Sequence, residues 1–296
     1  MKEFPICASC IGMDFQSPVL SSNEKIPKWL KTKNYVKDFV RHFKTFRTMH
    51  KKKCTVQIDL NVGETHKNQY VLYWAALPTN NETVIEDAKT AYGKFENSGV
   101  GKVDQHGNVS FCIQCPQNYR TTVDGKKKEE IFYRHVHFCF QDGTKKAWDT
   151  SHIYTKVVTC NVQLNFKNPK SQHYFRTNDQ ILINTLPKKM FQQNHIPGSI
   201  HLDSSMVKKM TRSDLYSFFQ KIINQKENGE FVHETLRHAL LQKKMKWYAV
   251  PIILYCQNDT CNASDRCLEE LYKKQMVNIK IYKSGMEDFE KRFKKK

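Results

Sequence analysis

The chain contains no apolar stretch approaching the ~18–20 residues that a membrane span requires. The longest candidate, Trp247 to Cys256, is interrupted by Pro251 and reads as a buried strand. No membrane partner is expected. The amino terminus, MKEFPICASC, has an early glutamate and no long apolar core, so it does not read as a secretory signal. Internal repeats are missing. Low-complexity sequence is confined to the terminal KRFKKK, which reads as a solvated tail.

Acidic residues are scarce: 29 Asp and Glu stand against 48 Lys and Arg, for a net charge of +19. The excess is spread over both halves, +8 in residues 1–165 and +11 in residues 166–296. A nucleic-acid patch needs clustering as well as excess, so the charge alone reads first as solvated surface. An RNA or an acidic protein partner for the basic surface remains a second expectation. Abundant lysine and asparagine suit a large DNA virus or an AT-rich microbe.

Cysteine, by contrast, is plentiful, with 10 residues. Without a secretory signal these are expected as reduced thiols, metal ligands or catalytic groups rather than a disulfide framework. The expected setting is intracellular: cytoplasm, or host cytoplasm or virion for a viral protein. With 39% hydrophobic and 12% aromatic residues against 26% charged, the 296 residues describe a folded chain with room for two domains.

Residues 1–27 look irregular, and Tyr35, Val36, Phe39, Val40, Phe43 and Phe46 predict a helix between Pro27 and Lys53, apolar on one face and basic on the other. Short β-like runs follow at Lys53–Asn61, Gln69–Ala76, Gly107–Gln114, Ile131–Phe140 and Tyr154–Gln163, interrupted by a helical candidate at Thr83–Ser98. The expected packing is a β-rich, sandwich-like domain over residues 1–165 with one or two helices. Asn168-Pro169 marks a linker at 166–176, and a second domain spans 177–296. There, apolar runs at Asp179–Leu186, Val250–Cys256 and Val277–Tyr282 alternate with helical segments at Ser213–Gln225, Val232–Lys246 and Ala263–Gln275, the pattern of a parallel sheet covered on both faces.

The most informative stretch is Pro251–Leu271, PIILYCQNDTCNASDRCLEEL. A buried strand delivers Cys256 at its carboxyl end, a polar loop follows, and a helix begins near Ala263. Reactive groups collect at such strand ends in open parallel sheets. Amides of Gln257, Asn258, Asp259, Thr260, Asn262 and Ala263 are placed to cradle an anion, and the helix start adds partial positive charge, so a thiol there ionises more readily. Cys261, five residues on, suggests a resolving thiol that closes a disulfide with Cys256. Cys267 on the helix reads as core.

Together with His195-Ile-Pro-Gly-Ser-Ile-His-Leu-Asp203 and the strand and turn at Val277–Met286, this stretch resembles the rhodanese-like family over residues 175–296. The resemblance implies a five-stranded α/β domain without a required cofactor. It further implies sulfur transfer through a persulfide on Cys256, from a small sulfur donor to a thiol acceptor. Against the family pattern, Asn184-Thr185-Leu186 stands where active members usually carry an Asp and an Arg, and Asp259 opposes an anionic donor. Asn262 stands where the related phosphatases need arginine, and Arg266, one helical turn later, is expected to point elsewhere. A catalytically degenerate module serving protein or RNA binding is the alternative expectation.

In the amino-terminal half, Cys112 and Cys115 are separated by two residues, and His135 and His137 share one face of a predicted strand, a set chemically able to bind zinc. Cys7 and Cys10 are a further half-site. The competing reading makes the histidines hydrogen-bonded strand residues.

Overall fold

The computed structural model describes residues 54–122, 129–144, 146–164 and 179–293. The helix expected before Lys53, the Cys7/Cys10 half-site and the linker at 166–176 lie outside them. The chain divides into two units: one comprises the chain up to Asn80 with Glu86–Val158, the other Asn81–Ile85 with the chain from Thr159 onward.

The first unit is strand-rich. β1 (Val56–Asn61) and β2 (Tyr70–Ala75) are followed by β3 (Glu86–Asp87) and a short helix, α1 (Ala88–Tyr92). β4 (Ser98–Lys102), β5 (Asn108–Ile113), β6 (Tyr119–Thr122), β7 (Glu129–Phe132), β8 (His135–Phe140) and β9 (Tyr154–Val157) complete it. β1 pairs antiparallel with β5, and the inward alternation of Val56 and Ile58 faces that of Val109, Phe111 and Ile113. A four-stranded antiparallel sheet runs β4-β2-β8-β9, while β3, β6 and β7 form a mixed sheet of three.

Two expectations are revised here, and one strand is added. The helix expected over Thr83–Ser98 shrinks to five residues because Asp87 caps its start, accepting from Thr90 N at 3.0 Å, and Gly93 at φ +52° ends it. Ser98–Lys102, outside the expected strands, forms β4 beside β2, where any Cβ on Gly99 would strike the Tyr73 ring. The run 131–140 breaks into β7 and β8 at Tyr133-Arg134, where the buried Arg134 donates from Nη1 to Pro116 O at 2.7 Å. All six residues of β8 are buried, as befits a strand bonded on both sides.

The expectation of reduced thiols is also corrected. Cys54 is disulfide-bonded to Cys112 from a Cα–Cα separation of 5.4 Å, a distance that suits a bridge. The antiparallel pairing of β1 and β5 brings the two chain segments side by side, a proximity that a sequence separation of 58 conceals. Cys115 and Cys160 each take part in a disulfide. Cys139, Cys256, Cys261 and Cys267 are free.

The second unit contains β10 (Cys160–Asn161), β11 (Ile181–Asn184), α2 (Lys188–Gln193), β12 (Ile200–His201), α3 (Ser204–Lys209) and α4 (Arg212–Ile223). A small hairpin of β13 (Lys226–Glu227) and β14 (Glu230–Phe231) precedes α5 (Glu234–Leu241), β15 (Ile252–Tyr255), α6 (Ala263–Lys273), β16 (Ile279–Tyr282) and α7 (Gly285–Phe293). The five-stranded sheet runs β10-β16-β15-β11-β12 and is parallel throughout. Every residue of β11 and β15 is buried, which explains their continuous apolar runs: helices cover both faces of a parallel sheet. α4 opens with a reciprocal capping box in which Thr211 and Asp214 satisfy each other's backbone N–H. Among the described residues no helix is long and apolar enough to cross a membrane.

Candidate active site

β15 is flanked on both sides by parallel strands, so its carboxyl end opens at the middle of the sheet rim. Cys256 follows it directly. The chain then turns, with Cys261 N–H donating to Asn258 O at 3.1 Å, and α6 begins at Ala263 with Asn262 at its cap position. The Asn262 side chain makes no cap bond; its Oδ1 instead accepts from Arg266 Nη1 at 2.6 Å.

The outer side of this loop is held by α7. Met286 N–H donates to Cys256 O at 3.0 Å and Glu287 N–H to Gln257 O at 2.9 Å, so loop carbonyls satisfy amides that a helix start leaves open. Asn258 Nδ2 donates to Glu287 Oε2 at 3.1 Å, and Thr260 Oγ1 to Asn258 Oδ1 at 3.0 Å. Asn258, Asp259, Thr260, Glu287, Asp288 and Lys291 line most of a hollow of about 300 Å³ beside the loop.

Within the loop the surroundings of the two thiols differ. Cys256 has no exposed surface and packs with Tyr255, Ala263 and Met286. Its Sγ lies 3.2 Å from Cys261 O and 3.8 Å from Asn258 O, acceptors that favour the protonated thiol. Burial pushes the Cys256 thiol up, the hydroxyl and N–H of Ser264 offset part of this, and the Cys261 sulfur adds to the rise. Cys261 is half-buried. Burial acts upward there too, but the N–H groups of Gln257 and Ala263, the Cys256 thiol and the Arg266 guanidinium together hold Cys261 below the ordinary thiol value of 9.0.

The N–H groups of Gln257 and Ala263 thus act to lower the Cys261 pKa, and Ser264 acts to lower that of Cys256. The amide of Cys261 is consumed within the turn. Arg266, expected to point away, lies near enough to Cys261 to lower its pKa, because one helical turn returns it to the loop side.

Three contributors escaped the sequence reading. Thr185 donates its N–H and its hydroxyl to Tyr255 O, both at 3.0 Å, and its Oγ1 lies 3.2 Å from Ser264 Oγ. A neutral hydroxyl pair thus stands beside the site, next to Asn184 and Leu186. Gly285, the third, brings α7 against the loop. The HIPGS turn gave a partial signal for a fourth relationship: Tyr255 OH accepts from Ile196 N–H at 3.0 Å and lies 2.7 Å from Ser199 Oγ, tying that turn to the strand before Cys256.

The candidate zinc residues fare differently. Cys112 and Cys115 are disulfide-bonded, and a sulfur in a disulfide is not a thiolate ligand. His135 and His137 do converge, their Nε2 atoms 3.1 Å apart and both rings buried. His135 Nδ1 lies 2.6 Å from Tyr133 O, so that nitrogen carries the proton and Nε2 accepts, with Tyr119 OH at 3.0 Å. His137 Nδ1 contacts Thr155 Oγ1 at 2.7 Å. Among the described residues no three His, Cys, Asp or Glu side chains group to hold a metal. The four expected ligands do not fit a zinc centre in this state.

A parallel α/β sheet thus carries a cysteine loop at the end of its central strand, with α6 and α7 beside it. Residues 171–292 match the family model described as Rhodanese-like domain, and this part of the chain is a rhodanese-like domain, of a sulfurtransferase-type superfamily. The remaining residues match no family model. No curated protein matches the chain.

Proposed function

We propose that the rhodanese-like domain handles sulfur through the Cys256–Cys261 pair, as a sulfurtransferase or a thiol-redox protein. The supporting observation is the pair of free thiols in one loop at the carboxyl end of the central strand, with Cys256 Sγ 3.2 Å from Cys261 O. In the transfer version a thiolate of the pair attacks the outer sulfur of a small donor, carries it as a persulfide and yields it to a thiol acceptor. Asp259 beside the loop disfavours a dianionic donor of the thiosulfate type and favours an uncharged one, whereas Glu287 and Asp288 are paired with Lys291 and Arg292.

The test is mass spectrometry of the intact chain after exposure to a hydropersulfide donor. A mass gain of one sulfur, or loss of two hydrogens, confined to the peptide holding Cys256 and Cys261 supports the proposal. Unchanged mass in that peptide, matching a Cys256→Ser/Cys261→Ser variant, overturns it.

A further inference from the structure

We infer that Cys261, rather than Cys256, is the sulfur that meets the substrate, an uncharged low-molecular-weight disulfide, and that Cys256 is the resolving thiol behind it. This rests on the reading that the loop carries thiol chemistry, and it assigns the two sulfurs distinct roles.

Access separates them first. Cys256 has no exposed surface, whereas Cys261 is half-buried and reachable from solvent. An attacking thiolate must approach the disulfide in line with the bond that breaks, so a sulfur without exposed surface cannot be first. Hydrogen bonding separates them again. The Cys256 sulfur is directed at the carbonyls of Cys261 and Asn258, which can only accept, so Cys256 keeps its proton. Cys261 instead stands at the start of α6, half-buried, with the Arg266 guanidinium held on the adjoining Asn262 Oδ1 at 2.6 Å: a cation that a thiolate wants. The opposite pKa directions of the two thiols agree with this geometry.

The reaction balances without a further reagent. The Cys261 thiolate attacks one sulfur of R–S–S–R; the S–S bond breaks, RS⁻ leaves with its electron pair, and Cys261 is left in a mixed disulfide. Cys256 then gives its proton to the released RS⁻ and its sulfur attacks Cys261 Sγ. The Cys256–Cys261 bond forms and the second RS⁻ departs. The protein dithiol is oxidised by two electrons, and the small disulfide is reduced to two thiols.

The experiment uses the full chain and bis(2-hydroxyethyl) disulfide, with acid quenching and peptide mapping. In Cys256→Ser the mixed disulfide is expected to accumulate on Cys261, and in Cys261→Ser its formation is expected to slow by at least about tenfold. Brief iodoacetamide treatment of the unmutated protein guards against misfolded variants: label is expected on Cys261 before Cys256. First labelling at Cys256, or a Cys261→Ser variant that forms the mixed disulfide at the original rate, overturns the role assignment alone. Reaction at neither sulfur overturns the thiol reading itself and this inference with it.

Discussion

Gly285 lies directly against the carbonyl of Cys256, in the left-handed region at φ +55°. A Cβ at this position would collide with Cys256 O and with the Gln257 peptide, which are backbone atoms unable to swing aside. The close approach lets α7 donate amides to the loop, so the position of Cys256 depends on a missing side chain 29 residues away at the start of α7.

Gly285→Ala is therefore expected to cost about 2–4 kcal/mol, joining backbone strain to overpacking. Gly229, also left-handed at φ +85° but with open space around its Cβ, is the control, and Gly229→Ala is expected to cost about 1–2 kcal/mol. Urea unfolding of both variants checks the order. Equal losses would show that the contact with Cys256 O carries no weight.

Tyr255→Phe removes the hydroxyl that bonds Ile196 N–H and Ser199 Oγ, all in buried surroundings. Leaving that amide without its acceptor is expected to destabilise by about 1–3 kcal/mol. Ser199→Ala, which leaves the Tyr255–Ile196 bond in place, is expected to cost less. Denaturant midpoints of the pair decide the matter.

Arg266→Gln deletes the cation that favours the Cys261 thiolate, so the midpoint of Cys261 alkylation with pH should move upward toward the ordinary thiol value of 9.0. Because the folded pKa is depressed, the thiolate's contribution to stability is full above the unfolded pKa and is lost as pH falls through the folded one. Raising salt from ~0.05 to ~0.5 M should shrink the difference between variant and original, since Arg266 acts at a solvent-exposed edge. A variant with an unmoved midpoint would remove Arg266 from the site.

The disulfide Cys54–Cys112 closes a loop across a sequence separation of 58. Cys54→Ser/Cys112→Ser is expected to lose about 3–4 kcal/mol, chiefly by freeing the unfolded chain. The check is thermal unfolding of the double variant beside the unmutated protein, with the Cys256 and Cys261 reactivity measured alongside; that reactivity should not change.

The carboxy-terminal sheet and its cysteine loop were legible in the amino-acid order because each strand there is buried on both faces and each helix is patterned against it, so local hydrophobicity reports the element. Strand Ile252–Tyr255, the helix from Ala263 and the cysteine between them follow from that logic alone. The amino-terminal strands were legible less completely, since β4 owes its existence to Gly99 lying under Tyr73 and the break before β8 to the buried Arg134, both contacts with distant residues.

Residue order by itself determined a parallel α/β domain with thiols at a strand end, through periodicities that act over a few residues. Only the tertiary structure decided which sulfur is covered and which faces donors, that Thr185 and Ser264 stand beside Cys256, and that Cys112 is bonded to Cys54. These depend on strand register and on helices returning to the loop, and spacing along the chain carries no measure of either.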